Sequence, residues 1–270
     1  MDKSVFTYAR ASDPLWKRVA INCLEVATGR NTIRRLYFEQ QARGWQGSFF
    51  ATAIRALSLD VRFDAQRLAD IPKQGPLVVV ANHPFGVLDG IIMCALMAQA
   101  REDFLVLTNA VLMKAPEMRA RMLPIDFAET RDAQRLNAQS RARAIEHVKQ
   151  GGCVVIFPGS AVSTSPDWLG RQPAVDPPWT PFLGRLVQQT NADVVPVFFE
   201  GQNSTLFQII SHLSQTARLA LFFYEVRRRI ATQFHVVIGQ VIPHSCLNRF
   251  ADRHALTEHL RKSVYTQRVE

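Results

Sequence analysis

The chain has 270 residues, 47% of them hydrophobic and 20% charged, a balance that excludes intrinsic disorder and allows one core near the upper size of a single domain. Thirty-two Lys and Arg against 23 Asp and Glu give a net charge of +9, which favours an anionic partner: a nucleic acid, an acidic carrier or cofactor, or an anionic membrane surface. The N-terminus MDKSVFTYARASDP lacks the apolar core and cleavage site of a signal peptide, and no stretch reaches the roughly 18 apolar residues of a membrane span.

From Asp13 to about Leu59 the pattern is helical. Asp13 is placed as a cap, Pro14 at the first helical position, and Trp16, Val19, Cys23 and Val26 follow 3/4 spacing. Phe50, Ile54 and Leu57 form a second stripe, and NTIRRLYFEQQARG between them mixes aromatics with arginines. Residues 1–58 are therefore expected to form two or three helices, packed on a core or, in their exposed members, resting in a lipid interface. From residue 59 the pattern alternates. Strands are predicted at 59–63, 77–82, 104–108, 153–158, 193–200 and 234–239, with helices near 89–100, 131–150, 180–190, 205–215 and 218–230. This order predicts an α/β fold over 59–270, a largely parallel central sheet flanked by helices and continuous with the N-terminal helical region. Cys94 and Cys153 sit in apolar runs as core fillers, and the absence of C-x-x-C spacing fits a reducing compartment. The Pro-rich segment SPDWLGRQPAVDPPW (165–179) is a long loop of the functional or mobile kind.

Ligands of such folds gather at the carboxyl ends of strands, where VANHPFGVLDG (80–90) and FPGSAVS (157–163) fall. A histidine beside a carboxylate can take a proton near neutral pH while the carboxylate fixes its tautomer. His83 and Asp89 fit that pairing. They fit equally a strand-to-helix turn in which Asp89 is an ordinary N-cap. There is no G-x-S-x-G elbow, no phosphate-binding glycine loop and no H-E-x-x-H, and the remaining histidines are too scattered to join His83 in a metal site. Nucleic acid is supported by charge alone, without a recognisable binding motif.

NHPFGVLDG, then LPID (123–126), IFPGSAVS (156–163) and VVPVFFEGQNS (194–204), resemble in order four blocks of the glycerolipid acyltransferase superfamily, which includes 1-acylglycerol-3-phosphate acyltransferases. The bacterial branch labelled as hemolysins, with its ornithine-lipid acyltransferases, is the most similar, and the resemblance spans roughly residues 45–242. It implies that His83 is the general base and that Asp89 orients and charge-stabilises it. It implies acyl-CoA or acyl carrier protein as acyl donor, no further cofactor, and the hydroxyl of a lyso-lipid as acceptor. The setting it implies is the inner face of the cell membrane, as a cytoplasmic, peripheral protein. Asn82, Pro84, Phe85, Gly86, Phe157, Pro158, Gly159, Ser160, Ser163 and Asn203 are the expected substrate contacts. Lys114, Arg119 and Arg121 are candidates for an anionic headgroup or donor phosphates, or else for a solvated helix face.

The chain departs from the pattern in two places. Five residues, not the commoner four, separate His83 from Asp89, as in the hemolysin-labelled branch. The third block usually reads FPEGTRS or, in this branch, FPAGEVS. Here Gly159 or Ala161 stands in place of the acid and Val162 in place of the arginine. An arginine–phosphate fork is among the stronger polar contacts, so its loss turns expectation toward an unusual lyso-lipid or lipoamino acid. The alternative is a catalytically silent member that binds lipid or acyl carrier as a partner protein.

Overall fold

The computed structural model describes residues 6–9, 14–45 and 47–268. LVVVA is buried at every position, as a strand covered on both faces must be, and forms β2 (Leu77–Ala81). Among the described residues β2 lies inside a seven-stranded sheet. Its order is β1 (Asp60–Arg62), β7 (Gln233–Ile238), β6 (Asp193–Phe199), β2, β5 (Cys153–Ile156), β3 (Phe104–Asn109) and β4 (Met122–Ile125). The six predicted strands all appear, with ends within two residues of expectation.

Five strands run parallel, while β7 pairs antiparallel with β6 and carries β1 parallel to itself. Two helices, α8 (Thr205–Leu213) and α9 (Gln215–Arg228), separate β6 from β7. An even number of crossings returns the chain to the carboxyl edge, so β7 descends. Strand β4 lies outside the expected elements. It contains Pro124, which a sheet tolerates at an edge, and it pairs with β3 alone.

The pleat divides the core. Leu77, Val79 and Ala81 face a cluster with Leu88, Ile92 and Met93 of α5 (Val87–Ala100), which Phe50 and Leu57 also join. Val78 and Val80 face Leu183 and Leu186 of α7 (Phe182–Thr190) with Leu256 and Leu260 of α11 (Arg253–Tyr265). Helix α6 (Arg131–Lys149) covers the same face through Ala144 and Val148, while α4 (Ala65–Ala69) and α10 (His244–Leu247) are short connectors. Cys94 and Cys153 are buried fillers, and burial pushes the Cys153 thiol up to about 12.

Residues before β1 form α1 (Leu15–Ala27), α2 (Arg30–Ala42) and α3 (Phe49–Ala56). Asp13 lies outside the described residues, and Pro14 precedes the first helical residue instead of occupying it. Of the two placements left open for this stripe, packed on the core or exposed, the structure has the second: Trp16, Val19, Cys23 and Val26 are exposed. A polar anchor overrides the apolar periodicity. Glu25, fully buried, accepts the Tyr8 N–H at 2.7 Å and pairs with Arg30 at 2.9 Å, so its side of α1 faces the protein. Among the described residues no helix is long and apolar enough to cross a membrane.

At the amino edge of the sheet, the buried guanidinium of Arg101 donates to the carbonyls of Pro72, Gly75 and Gly151 and pairs with Asp103 at 2.7 Å. Those partners stand just before β2, β5 and β3, so one side chain ties three strand starts together.

Candidate active site

Strand β2 ends at Ala81, but its pairing continues by one rung through a side chain. Asn82 Nδ2 donates to the Phe199 carbonyl at 3.0 Å, and its Oδ1 accepts the Phe199 N–H at 2.7 Å. Both halves of the amide are spent on β6, so Asn82 sets the path of the chain into His83.

The next three residues turn sharply. Pro84 and Phe85 are buried, and the Phe85 ring packs edge-on against Phe234 at 5.1 Å with the Arg229 guanidinium 4.5 Å from its centroid. Gly86 takes φ +73° and ψ −115°, a conformation open to glycine and little else. A Cβ there would lie 2.8 Å from Phe222 and 3.2 Å from Val162.

Helix α5 starts at Val87, so Asp89 occupies its third position and reaches back. One oxygen, Oδ2, accepts the Phe85 N–H at 2.7 Å and the Gly86 N–H at 2.9 Å, and lies 3.0 Å from His83 Nδ1. The two geometries left open by the sequence, a His83–Asp89 pairing and a helix-start cap, coexist in one arrangement. The His83 contact has ion-pair distance without hydrogen-bond alignment, since Nδ1 has no hydrogen-bond partner; unliganded catalytic pairs commonly align only with substrate bound. Burial raises the Asp89 carboxyl above the usual carboxylate range, against the pull of His83 and the two backbone donors. The His83 side chain is 22% exposed and lies against Phe157 at 4.5 Å between ring centroids. With Nδ1 buried against Asp89, Nε2 is the nitrogen left for a reactant.

A second carboxylate, missed from the sequence, holds this loop from behind. Asp176, in the Pro-rich segment after β5, accepts the His83 backbone N–H at 3.1 Å, the Ser163 hydroxyl, and Trp179 Nε1–H at 2.8 Å. Its own N–H donates to the Tyr265 hydroxyl at 2.8 Å, and its carbonyl accepts from Arg261 at 3.1 Å, so α11 supports it. Ser163 in turn donates its N–H to the His83 carbonyl at 2.8 Å. The Ser163 hydroxyl is thereby committed to Asp176 and is not available to an acceptor. Gly159 is required by the same packing, because a Cβ would meet Asp176 Cβ at 3.0 Å. No spacing rule marks Asp176; the only cue is an acid between Val175 and two prolines inside an otherwise hidden DPPW.

His83 opens into a cavity of about 650 Å³ at the carboxyl edge of the sheet. Of the residues named from the sequence as substrate contacts, Gly86, Phe157, Pro158 and Ser160 line it, beside Ala161 and Val162. Asn82, Pro84, Phe85, Gly159 and Ser163 lie behind that wall for the packing reasons above. Asn203 is buried outside the lining, with both side-chain polar atoms unpartnered. Lys114 and Arg119 do not reach the cavity lining: Lys114 Nζ donates to the Thr7 carbonyl at 2.8 Å, and Arg119 Nε to the Met113 carbonyl at 2.8 Å. Arg121 stacks on Phe104 at 5.0 Å instead. Beside the main cavity, between α2, α3 and α5, lies an apolar one of about 170 Å³; Val87, Ile91, Leu112 and Phe222 are among the residues that line both. Among the described residues no group of three or more His, Cys, Asp or Glu could hold a metal ion.

The family model described as acyltransferase matches residues 15–234. Over 194 residues the chain is 23% identical to a lyso-glycine lipid O-acyltransferase of Phocaeicola vulgatus, covering 68% of this chain and 66% of that protein, just under two thirds of the relative's own length. Over 215 residues it is 22% identical to a lyso-glycine lipid O-acyltransferase of Bacteroides thetaiotaomicron, covering 77% of this chain and 75% of that one. Among solved structures, the 1-acyl-sn-glycerophosphate (LPA) acyltransferase PlsC of Thermotoga maritima aligns with a TM-score of 0.48 and 19% identity, over 81% of this chain and 75% of that chain.

Proposed function

Because the chain belongs to the acyltransferase family, we propose that it transfers a fatty acyl group from a thioester, acyl-CoA or acyl carrier protein, to the hydroxyl of a lyso-lipid. The observation that carries this reading is the His83–Asp89 pair, with its carboxylate fully buried and its imidazole opening into a cavity continuous with apolar walls. In the proposed step His83 Nε2 takes the acceptor's hydroxyl proton as that oxygen attacks the thioester carbonyl. The C–S bond then breaks, and the thiol leaves with the proton returned by the imidazolium. Asp89 stabilises the charge that His83 gains in between.

The neighbouring apolar cavity supports a fatty chain lying along α5 from the reacting carbonyl. The names of the two relatives support a lyso-lipid acceptor, lyso-glycine lipid being that of the relatives. A place on the inner face of the cell membrane is supported by the outward face of α1. There Leu15, Trp16, Val19, Leu24 and Val26 are exposed, on a chain of net charge +9.

The test is incubation of purified protein with labelled acyl-CoA or acyl carrier protein and pooled lyso-lipids, beside a His83→Ala variant shown to be folded. A diacyl product made by wild type and lost in the variant supports the proposal and identifies the acceptor. Donor binding without product from either would favour the silent, partner-binding member.

A further inference from the structure

The charged groups of the main cavity are all of one sign. Its lining contains Arg141 and Arg218 with His83, and no aspartate or glutamate; Asp89 is shut behind the imidazole. Among the described residues neither arginine has a carboxylate within ion-pair reach. Arg141, on α6, stacks on Phe182 at 5.4 Å and is exposed. Arg218, on α9, is half-buried: its guanidinium stacks on Phe207 at 5.5 Å, and one Nη2–H donates to the Val162 carbonyl at 2.6 Å. Burial lowers the Arg218 pKa, with no acid to offset it, although a guanidinium remains charged at any working pH. A cation taken partly out of water without a counter-charge is poorly placed unless a ligand supplies one.

We propose that Arg218 binds the oxyanion of the acceptor lipid's headgroup and so selects acceptors whose hydroxyl lies a few bonds from a carboxylate or phosphate. This rests on the acyl-transfer reading for its substrate class, but its evidence is the charge and position of the cavity wall. The position argues for acceptor over donor. Val162, which holds the guanidinium, is followed by Ser163, whose N–H holds the His83 carbonyl at 2.8 Å. Two short links thus separate the anion site from the base. The phosphates of a CoA or carrier thioester stand a whole pantetheine arm away from the reacting carbonyl. An acceptor headgroup is only a few bonds from the hydroxyl that His83 deprotonates. One guanidinium fork with a free edge suits a carboxylate or a phosphate, and Arg141 adds charge at the mouth.

The test is equilibrium binding to the full chain in neutral micelles, which needs no turnover. The probes are glycine N-acylated with a hydroxy fatty acid, the carboxamide of the same compound, lysophosphatidic acid, and acyl-CoA. Wild type is expected to bind the carboxylate at least about tenfold more tightly than the carboxamide, the range of a charge-assisted hydrogen bond. Arg218→Gln should erase that ratio, and Arg218→Lys should keep part of it. Preference between carboxylate and phosphate identifies the headgroup class. Equal binding of carboxylate and carboxamide by wild type overturns the proposal without any variant. So does an Arg218→Gln variant that weakens acyl-CoA alone, or both neutral and charged lipids equally. Anion-dependent binding without transfer would break the acyl-transfer reading and leave this one standing; transfer indifferent to headgroup charge would do the reverse.

Discussion

Asp176 holds the backbone N–H of His83 at 3.1 Å from a loop 93 residues further along the chain. The same carboxylate takes the Ser163 hydroxyl and the Trp179 indole, so one buried group fixes the His83 turn, the block after β5 and the loop that closes behind both. Asp176→Ala strands three donors, the Ser163 hydroxyl and Trp179 indole buried and the His83 N–H part-buried. Each costs roughly 1–3 kcal/mol when left unpaired, so a loss of at least about 3 kcal/mol in denaturant unfolding is expected, together with a fall in turnover at temperatures where the variant is still folded. Ser163→Ala, which removes one of the three contacts, should cost about 1 kcal/mol. Equal losses in the two variants would count against Asp176 as the common anchor.

Asp89 separates activity from stability. Burial raises its folded-state pKa above the unfolded one, so the folded protein holds this proton more tightly than the unfolded chain. The stability this contributes is full below the unfolded value of about 3.9 and is lost as pH rises through the folded pKa. Asp89→Asn cannot ionise. Urea midpoints measured across pH should therefore fall for wild type relative to the variant through that window, while the variant loses about 10²- to 10⁴-fold in turnover. Parallel midpoint curves would show that Asp89 ionises at no cost to the fold.

Two glycines four residues apart, Gly86 and Gly90, should respond oppositely to alanine. Gly86 has φ +73° and no room beside Phe222, so Gly86→Ala is expected to cost about 1–3 kcal/mol and to displace the cavity wall. Gly90 lies in α5 with nothing within 4 Å of an added Cβ, so Gly90→Ala should stabilise by about 0.5–1 kcal/mol. Thermal unfolding of the pair checks both signs.

The outward face of α1 predicts interfacial behaviour. Trp16→Ser combined with Val19→Ser removes exposed apolar side chains, at 73% and 54% exposure, without opening the core. Co-sedimentation with vesicles rich in anionic lipid should fall several-fold while the melting temperature stays put. Unchanged sedimentation would leave the α1 face without a membrane role.

The sheet was legible because its strands are short, buried and β-branched, and because turn residues bound them. The reversal of β7 was also within reach, since two helices were expected between β6 and β7. What could not be read was distance-spanning polarity. Trp16 and Val19 obey helical spacing, yet Glu25 turns the helix by pairing with Arg30 and with Tyr8 before it. Lys114 and Arg119 look like anion ligands until the carbonyls they satisfy are seen. His83 and Asp89 stand out as a pair because both lie in one turn; Asp176 and Arg218 reach the same site from far along the chain, and no motif spacing marks them.

The site draws on separate stretches of chain. His83 and Asp89 sit on the β2–α5 junction, whereas the Arg218 wall comes from α9, the second of two helices between β6 and β7. On the proposed reading, proton transfer and headgroup recognition are encoded in separate stretches that meet where Phe222 and Arg229 close on Gly86 and Phe85. A helical pair grafted between β6 and β7 to change the headgroup would therefore have to keep Phe222 and Arg229, whose contacts hold the turn after His83.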